Sequence, residues 1–204
     1  MLGNASSAQI TTKKAAITKD ILTAMLETCN DTLKGVRDRA ILLVDFTSGG
    51  RRRSEIAHLQ VEDLSKIDGG YILHIRKSKT DQGGKGFDVP VLGSAAAALK
   101  EWLVKSGIRD GHIFRGIRNN GKLNDSLSGQ SINQMVKKRI AMIGLDPDQY
   151  GAHSLRSGFI TEAARSGATI SDAMALSGHR NMVTAIGYFR EAQLMDNPAS
   201  TLID

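Results

Sequence analysis

The stretch Gly69–Val91, "GGYILHIRKSKTDQGGKGFDVPV", decides the fold class. Tyr71, Leu73 and Ile75 alternate with Ile72, His74 and Arg76, and beyond a glycine-rich interval Phe87, Val89 and Val91 alternate again. A period of two sends every second side chain to the same face, so the two runs read as half-buried strands of a β-hairpin. The tip falls at Asp81 to Gly86. Its "GGKG" is turn chemistry rather than a nucleotide loop, because it lacks the GxxxxGK[ST] spacing and does not lead from a strand into a helix.

On both sides of the hairpin the apolar period changes to that of a helix. Upstream, Ile21, Leu22, Met25 and Leu26 share one face after a capping Thr18, and a second helix runs from about Val36 through Phe46 to a stop at Ser48-Gly49-Gly50. A short helical turn, "SEIAHL", precedes the hairpin. Downstream, helices are expected from Ser94 to about Lys105 (Leu99, Trp102 and Leu103 inward), Ser131 to Ile143, His153 to Ala164, Ser171 to Leu176, and Val183 to about Met195. Loops fall around Gly116–Asn124 and Gly144–Gly151, and there is no internal repeat. The expected fold class is mostly α with a small antiparallel β-sheet, an α+β domain over residues 15–204 after a disordered lead-in over 1–14.

With 204 residues the chain can bury a real core in one domain. Lys+Arg 27 against Asp+Glu 21 gives +6, and the basic residues cluster at Arg51-Arg52-Arg53, around Arg76 to Lys79, and at Lys137-Lys138-Arg139. Such clusters favour a polyanionic partner, although charge alone does not separate nucleic acid from an ordinary solvated surface. Cys29 is the only cysteine, which rules out a disulfide framework and fits a reducing compartment. No stretch reads as a signal peptide or a membrane span, so the expected location is the cytoplasm, with no membrane partner.

Against this background "GAHSLRSGF", Gly151 to Phe159, matters because His153 and Arg156, at i and i+3 of a helix, project from one face and can reach one anionic group. Arg52 follows a glycine-terminated helix and opens a short one, with Glu55 three residues on to hold its guanidinium or tie down the helix start. Lys79 sits near the hairpin tip. His179 follows Gly178, and Tyr188 lies nine residues later. Two arginines, a lysine, two histidines and a tyrosine make a metal-free set for phosphoryl transfer at a DNA phosphodiester. Guanidinium forks bind the equatorial oxygens of a charged phosphorus centre in a two-pronged way that lysine cannot. A phenol, with a free pKa of about 10, needs nearby positive charge and a proton acceptor to attack. The leaving alkoxide needs a donor, and the acid and base roles stay open between Lys79 and His153.

In this order, "SGGRRRSEI", "HIRKSKT", "HSLRSGF" and "GHRNMVTAIGYFR" resemble the motif series of the tyrosine recombinase (phage integrase) family, over nearly the whole chain from Ala15. The resemblance puts the family's catalytic positions on Arg52, Lys79, His153, Arg156, His179 and the nucleophile Tyr188, with Glu55 as the supporting acid. It implies site-specific DNA recombination or integration. The DNA 3′-phosphate would join to Tyr188, a 5′-hydroxyl would be freed, and strands would be resealed without ATP, metal or any other cofactor. The expected partners are double-stranded DNA and further copies of the chain, a tetramer on two duplexes, with a monomer the alternative for the chain alone in solution.

Some features depart from the series or admit a plainer reading. The family's separate N-terminal core-binding domain has no room here, which favours a catalytic-domain piece with weak, salt-sensitive DNA binding. Arg51 stands where the resemblance has an apolar residue, and is read as surface or as a DNA contact. Asn133, Gln134, Lys137 and Lys138, on one basic helix, are candidates for the DNA major groove, with a solvated face as the equal alternative. His58, His74 and His112 have no metal-ligand spacing. Tyr71 reads as core and Tyr150 as a cover for the following helix. The apolar tail, Leu194 to Ile203, implies packing into a neighbouring protomer or folding back in cis. The rival functions are a topoisomerase of type IB character, a DNA-binding regulator without catalysis, and a metal-dependent nuclease, for which no carboxylate cluster is evident.

Overall fold

The computed structural model describes residues 14–76, 86–178 and 182–192. Eight helices and a three-stranded sheet occur among them: α1 Lys19–Glu27, α2 Leu33–Thr47, α3 Arg53–Ala57, β1 Leu64–Ile67, β2 Gly70–Ile75, β3 Phe87–Leu92, α4 Gly93–Ser106, α5 Gly129–Met142, α6 Ala152–Arg165, α7 Ile170–Ser177 and α8 Met182–Ala192. Helix types and limits agree with the periodicity to within about three residues. The hairpin is instead part of an antiparallel sheet of order β1-β2-β3. In β1, "LSKI", three of four residues are exposed, so it carries no apolar alternation to betray it and pairs through backbone alone.

The alternating residues face where the period put them. Leu73, Ile75, Val89 and Val91 are buried, and Leu73 pairs with Val89 in register. Pro90, which has no N–H to donate, is tolerated because β3 is an edge strand. Helix α2 is the centre of the molecule, with Val36, Ala40, Ile41, Leu42 and Val44 fully buried. Its start is capped by Thr32, whose hydroxyl accepts the Gly35 N–H at 3.2 Å. Trp102 of α4 is likewise fully buried, and its indole N–H donates to the Ile113 carbonyl at 2.8 Å, so no polar atom is stranded by its burial. A smaller cluster, with Ile160, Ala164, Ala173, Tyr188 and Phe189 at its centre, joins α6, α7 and α8.

One charged network belongs to the core. Asp38 of α2 accepts Arg37 at 2.7 Å on one carboxylate oxygen and Arg139 of α5 at 2.7 Å on the other. Arg139 also donates to the Thr28 carbonyl at 2.5 Å. The third member of the Lys137-Lys138-Arg139 run is therefore internal: it sits on the apolar side of α5, where Asp38 supplies its counter-charge.

Two glycines let the backbone pack around α6. A Cβ on Gly50, whose φ is +66°, would lie 2.1 Å from the Arg156 Cα, and one on Gly158 would lie 1.7 Å from the Ile17 carbonyl oxygen. Only glycine permits either approach. The first brings the Arg52 turn against the Arg156 turn. The second lets residues 15–17 cross α6, fixed by the Ile17 N–H to the Ser154 carbonyl at 2.9 Å. Of the lead-in expected over 1–14, only Lys14 is described, with its ammonium on the Asp148 carbonyl; residues 1–13 lie outside the described residues.

Candidate active site

Arg52 is the N-cap of α3, in extended conformation, so its side chain leaves the turn sideways. Glu55, one helical turn on, accepts from Arg52 twice: from the guanidinium at 3.1 Å and from the backbone N–H at 3.2 Å. The acid thus closes the start of α3 and aims the guanidinium. Glu55 is buried, whereas the Arg52 side chain keeps 35% of its surface exposed. A cation held at one end and open at the other can still take a ligand.

Arg156, one turn along α6 from His153, is buried; its guanidinium donates to the Gly50 carbonyl at 3.0 Å and the Ser177 carbonyl at 2.6 Å. It ties three segments together: the Gly49-Gly50 turn, α6, and the C-terminus of α7. Burial, then the neighbouring charge of Arg51, lowers its pKa to about 10, with Glu55 opposing and Arg52 adding to the fall. At neutral pH it remains a cation. His153 is exposed on the same side, and its pKa is lowered by desolvation first and then by the charges of Arg156 and Arg52. The Gly49-Gly50 turn, packed on Arg156, brings the Arg52 turn beside it, and His153 lies within the field of both charges. The imidazole is accordingly poised to be neutral at pH 7, as a proton acceptor must be.

Tyr188 of α8 is buried, 8% exposed, and its hydroxyl lies 3.1 Å from Ser157 Oγ. Ser157 follows Arg156 and stands one turn after His153, to whose carbonyl its own hydroxyl donates at 3.4 Å. Either hydroxyl can donate in the contact between Tyr188 and Ser157. The phenol ring also lines a groove of about 280 Å³ with Lys14, Ala16, Thr161, Arg165 and Ala192. Arg52, Glu55, His153 and Arg156 thus form one cluster, and Tyr188 is seated beside it on the next stripe of α6. Lys79 and His179 lie outside the described residues.

Other sequence-marked residues have different surroundings. Arg51 is not a surface residue. It is 2% exposed, with its guanidinium 5.0 Å from the centre of the Phe87 ring and on the Leu176 carbonyl. Its charge was misleading because Asp45, on α2, is buried beside it and was hidden in an apolar run, "ILLVDF". On α5, Asn133 accepts the Ala152 N–H at 3.0 Å and Lys137 pairs with Asp148 at 2.7 Å, while Gln134 and Lys138 are exposed. His74 donates to Asp88 at 2.6 Å, and His58 donates to the Ser54 carbonyl at 2.6 Å with its ring 6.3 Å from His112. Tyr71 and Tyr150 are half-buried against the main core.

A cleft of about 530 Å³ beside α3 is lined by Glu55, His58 and Arg76 but by none of Arg52, His153, Arg156 or Tyr188. Among the described residues no group of three or more His, Cys, Asp or Glu side chains is arranged to hold a metal ion, and no helix is long and apolar enough to cross a membrane.

The model of the phage integrase family matches residues 15–194. The chain belongs to that family. Among curated members, this integrase-family chain is 34% identical over 176 residues to an integrase/recombinase XerD homolog of Selenomonas ruminantium, covering 83% of the chain and 51% of that protein. It is 32% identical over 161 residues to the tyrosine recombinase XerC of Xanthomonas axonopodis pv. citri, covering 78% and 48%. The chain spans about half the length of these relatives. The fold is that of the XerH site-specific recombinase solved in a post-cleavage complex with its palindromic difH substrate, with a TM-score of 0.73 at 19% identity over 97% of this chain and 55% of that one. It is also that of XerA recombinase, with a TM-score of 0.70 at 19% identity over 94% and 67%.

Proposed function

We propose that this integrase-family chain performs site-specific recombination or integration on double-stranded DNA, cutting and rejoining strands through a 3′-phosphotyrosine at Tyr188. The supporting observation is that half-open Arg52 and buried Arg156 both bear on the exposed His153, while the phenol of Tyr188, on α8, lies 3.1 Å from Ser157, the residue after Arg156. A backbone phosphate seated there has two guanidinium forks for its non-bridging oxygens, and Arg156 is already fixed by the Gly50 and Ser177 carbonyls, so little reorganisation is needed as charge builds up.

The step balances without any external energy source. The Tyr188 oxygen bonds to phosphorus as the bond from phosphorus to the 5′ oxygen breaks. The phenolic proton leaves to a base, and the departing 5′ oxygen takes a proton from an acid, the two roles being shared between His153 and Lys79. Attack by a 5′-hydroxyl reverses the step and releases Tyr188. Guanidinium charge does the work a metal would otherwise do, so the reading requires neither metal nor nucleotide. The Tyr188 hydroxyl lies 3.1 Å from Ser157 and must leave that contact to reach phosphorus, and DNA together with further copies of the chain, in a tetramer on two duplexes, is the proposed partner that draws it out. The rest of the grip on DNA is proposed to come from a core-binding domain outside this sequence.

The test is covalent trapping on duplexes that carry a nick and a randomised segment, at low salt, with and without EDTA. The wild-type chain is expected to give protein–DNA adducts and Tyr188→Phe none. Undiminished adducts in the phenylalanine variant overturn the reading. Loss of all adducts on adding EDTA would favour metal-dependent cleavage instead.

A further inference from the structure

Among the described residues, the buried side chains with polar atoms left without a hydrogen-bond partner are Asp45 and Arg51, the latter next to Arg52 in the chain. Asp45 is fully buried on α2, and among the described residues neither of its carboxylate oxygens has a partner in full hydrogen-bond geometry, the Arg51 backbone N–H being the donor that bears on it. Beside it Arg51 is 2% exposed, and its Nε is likewise unpartnered there. The charged groups that bear on Asp45 are Arg51, Glu55 and Arg156. Burial pushes Asp45 up and Arg51 down in pKa, each toward neutrality, while each charge opposes the other's shift. A pair kept in this condition contributes little to stability compared with apolar side chains of the same volume. The resemblance to the family leads one to expect an apolar residue at position 51.

What Arg51 does touch is informative. Its guanidinium lies over Phe87, the first residue of β3 after the hairpin tip, and donates to the carbonyl of Leu176. Arg156 holds the very next carbonyl, that of Ser177. The last carbonyls of a helix lie at the negative end of its dipole beyond the reach of its own N–H groups, and here two guanidiniums cap them side by side. A Cβ on Gly49 would lie 2.5 Å from the Leu176 oxygen and 2.6 Å from Arg51 Nη2, so the Gly49-Gly50 turn is pressed into the same joint. Four segments meet at Arg51: the α2 end at Asp45, the turn that carries Arg52, the return strand of the hairpin that bears Lys79, and the α7 end that leads through Gly178 to His179.

We propose that Arg51 is a positioning residue of this site, a buried joint that sets the Arg52 turn, the start of β3 at Phe87 and the end of α7 at fixed distances from Arg156. Asp45 is its counter-charge, and the pair is retained for geometry. The proposal rests on the strand-transfer reading for its catalytic consequence, but the joint itself can be observed without activity.

Three chains decide it: wild type, Arg51→Leu, and the double variant Asp45→Leu with Arg51→Leu, which leaves no buried charge unpaired and guards against a simple failure to fold. The double variant is expected to recover the melting temperature lost by Arg51→Leu. It should still form adducts at saturating protein at least tenfold more slowly than wild type, with DNA affinity at matched salt changed less than threefold. Backbone amides of Ile170 to Gly178 should exchange with solvent at least tenfold faster in it than in wild type. Recovery of the wild-type rate together with wild-type exchange would overturn the proposal and make the pair a mere filler of the core. A variant slowed only through lost DNA affinity and a lower salt slope would overturn it in favour of a phosphate contact. If wild type gives no adducts at all, the strand-transfer reading fails, while the exchange comparison still decides for or against the joint.

Discussion

Two buried arginine–carboxylate centres lie at opposite ends of α2. At its start Asp38 receives Arg37 and Arg139, one on each oxygen, both at 2.7 Å, and the remaining donors of these arginines reach the Arg115 and Thr28 carbonyls. At its end three arginines, Arg51, Arg52 and Arg156, face Asp45 and Glu55, and only Glu55 is well used. Burial pushes Asp45 toward its neutral form, and the charge of Arg51 opposes that push. The first centre is closed, and every charge in it has a partner of the right shape. The second is left electrostatically incomplete, and it is the one that opens onto the surface through Arg52 and His153. An incomplete cationic centre waits for an anion, and a closed one holds helices together.

That contrast can be broken from either side. The largest effect is expected at the closed centre: Asp38→Ala strands two buried guanidiniums and should cost about 3–5 kcal/mol in denaturant unfolding, with adduct formation per folded molecule unchanged. A smaller stability loss would mean that water reaches the arginines. Next is Arg156→Ala, which removes a donor fixed beside the reacting phosphate. Adduct formation should fall by about 10²–10³-fold, and a rate within threefold of wild type would exclude Arg156 from the chemistry.

His153 offers a finer probe. Its pKa in the free protein is lowered by desolvation and by the two arginines, so its NMR titration should fall below the ordinary imidazole value of about 6.5. The unfolded chain then takes up a proton near pH 6.5 that the native state still refuses. Stability is therefore fully present above about pH 6.5 and declines as pH falls through the lower native value. A bound phosphate should move the titration upward. A titration unmoved by DNA would place the phosphate elsewhere. The smallest effect is expected from Lys138→Gln on exposed α5: a DNA salt slope lower by about 1 if it meets a phosphate, and an identical slope if it is only a solvated face.

Much of this was legible in the letters. Periodicity defined the helices and the hairpin because both patterns reflect burial of one face. The i, i+3 spacing of His153 and Arg156, and the acid three residues after Arg52, encode contacts within one element, where sequence distance is spatial distance. β1 was invisible because it buries almost nothing. Arg51 and Arg139 were misjudged for one reason: a charge in a basic run reads as surface unless its counter-ion is found. Those counter-ions, Asp45 and Asp38, lie on α2, and for Arg139 a hundred residues away. The lone aspartate in "ILLVDF" was the available hint. The seat of Tyr188 on Ser157 depends on how α8 packs on α6, which no spacing states.

The central claim is that one phenol serves this cationic cluster, and the most direct measurement is mass-spectrometric mapping of the residue linked to DNA after trapping on nicked duplex. The nucleotide remnant is expected on the peptide that carries Tyr188. A remnant on Tyr71 or Tyr150, or on a side chain other than tyrosine, would contradict the account.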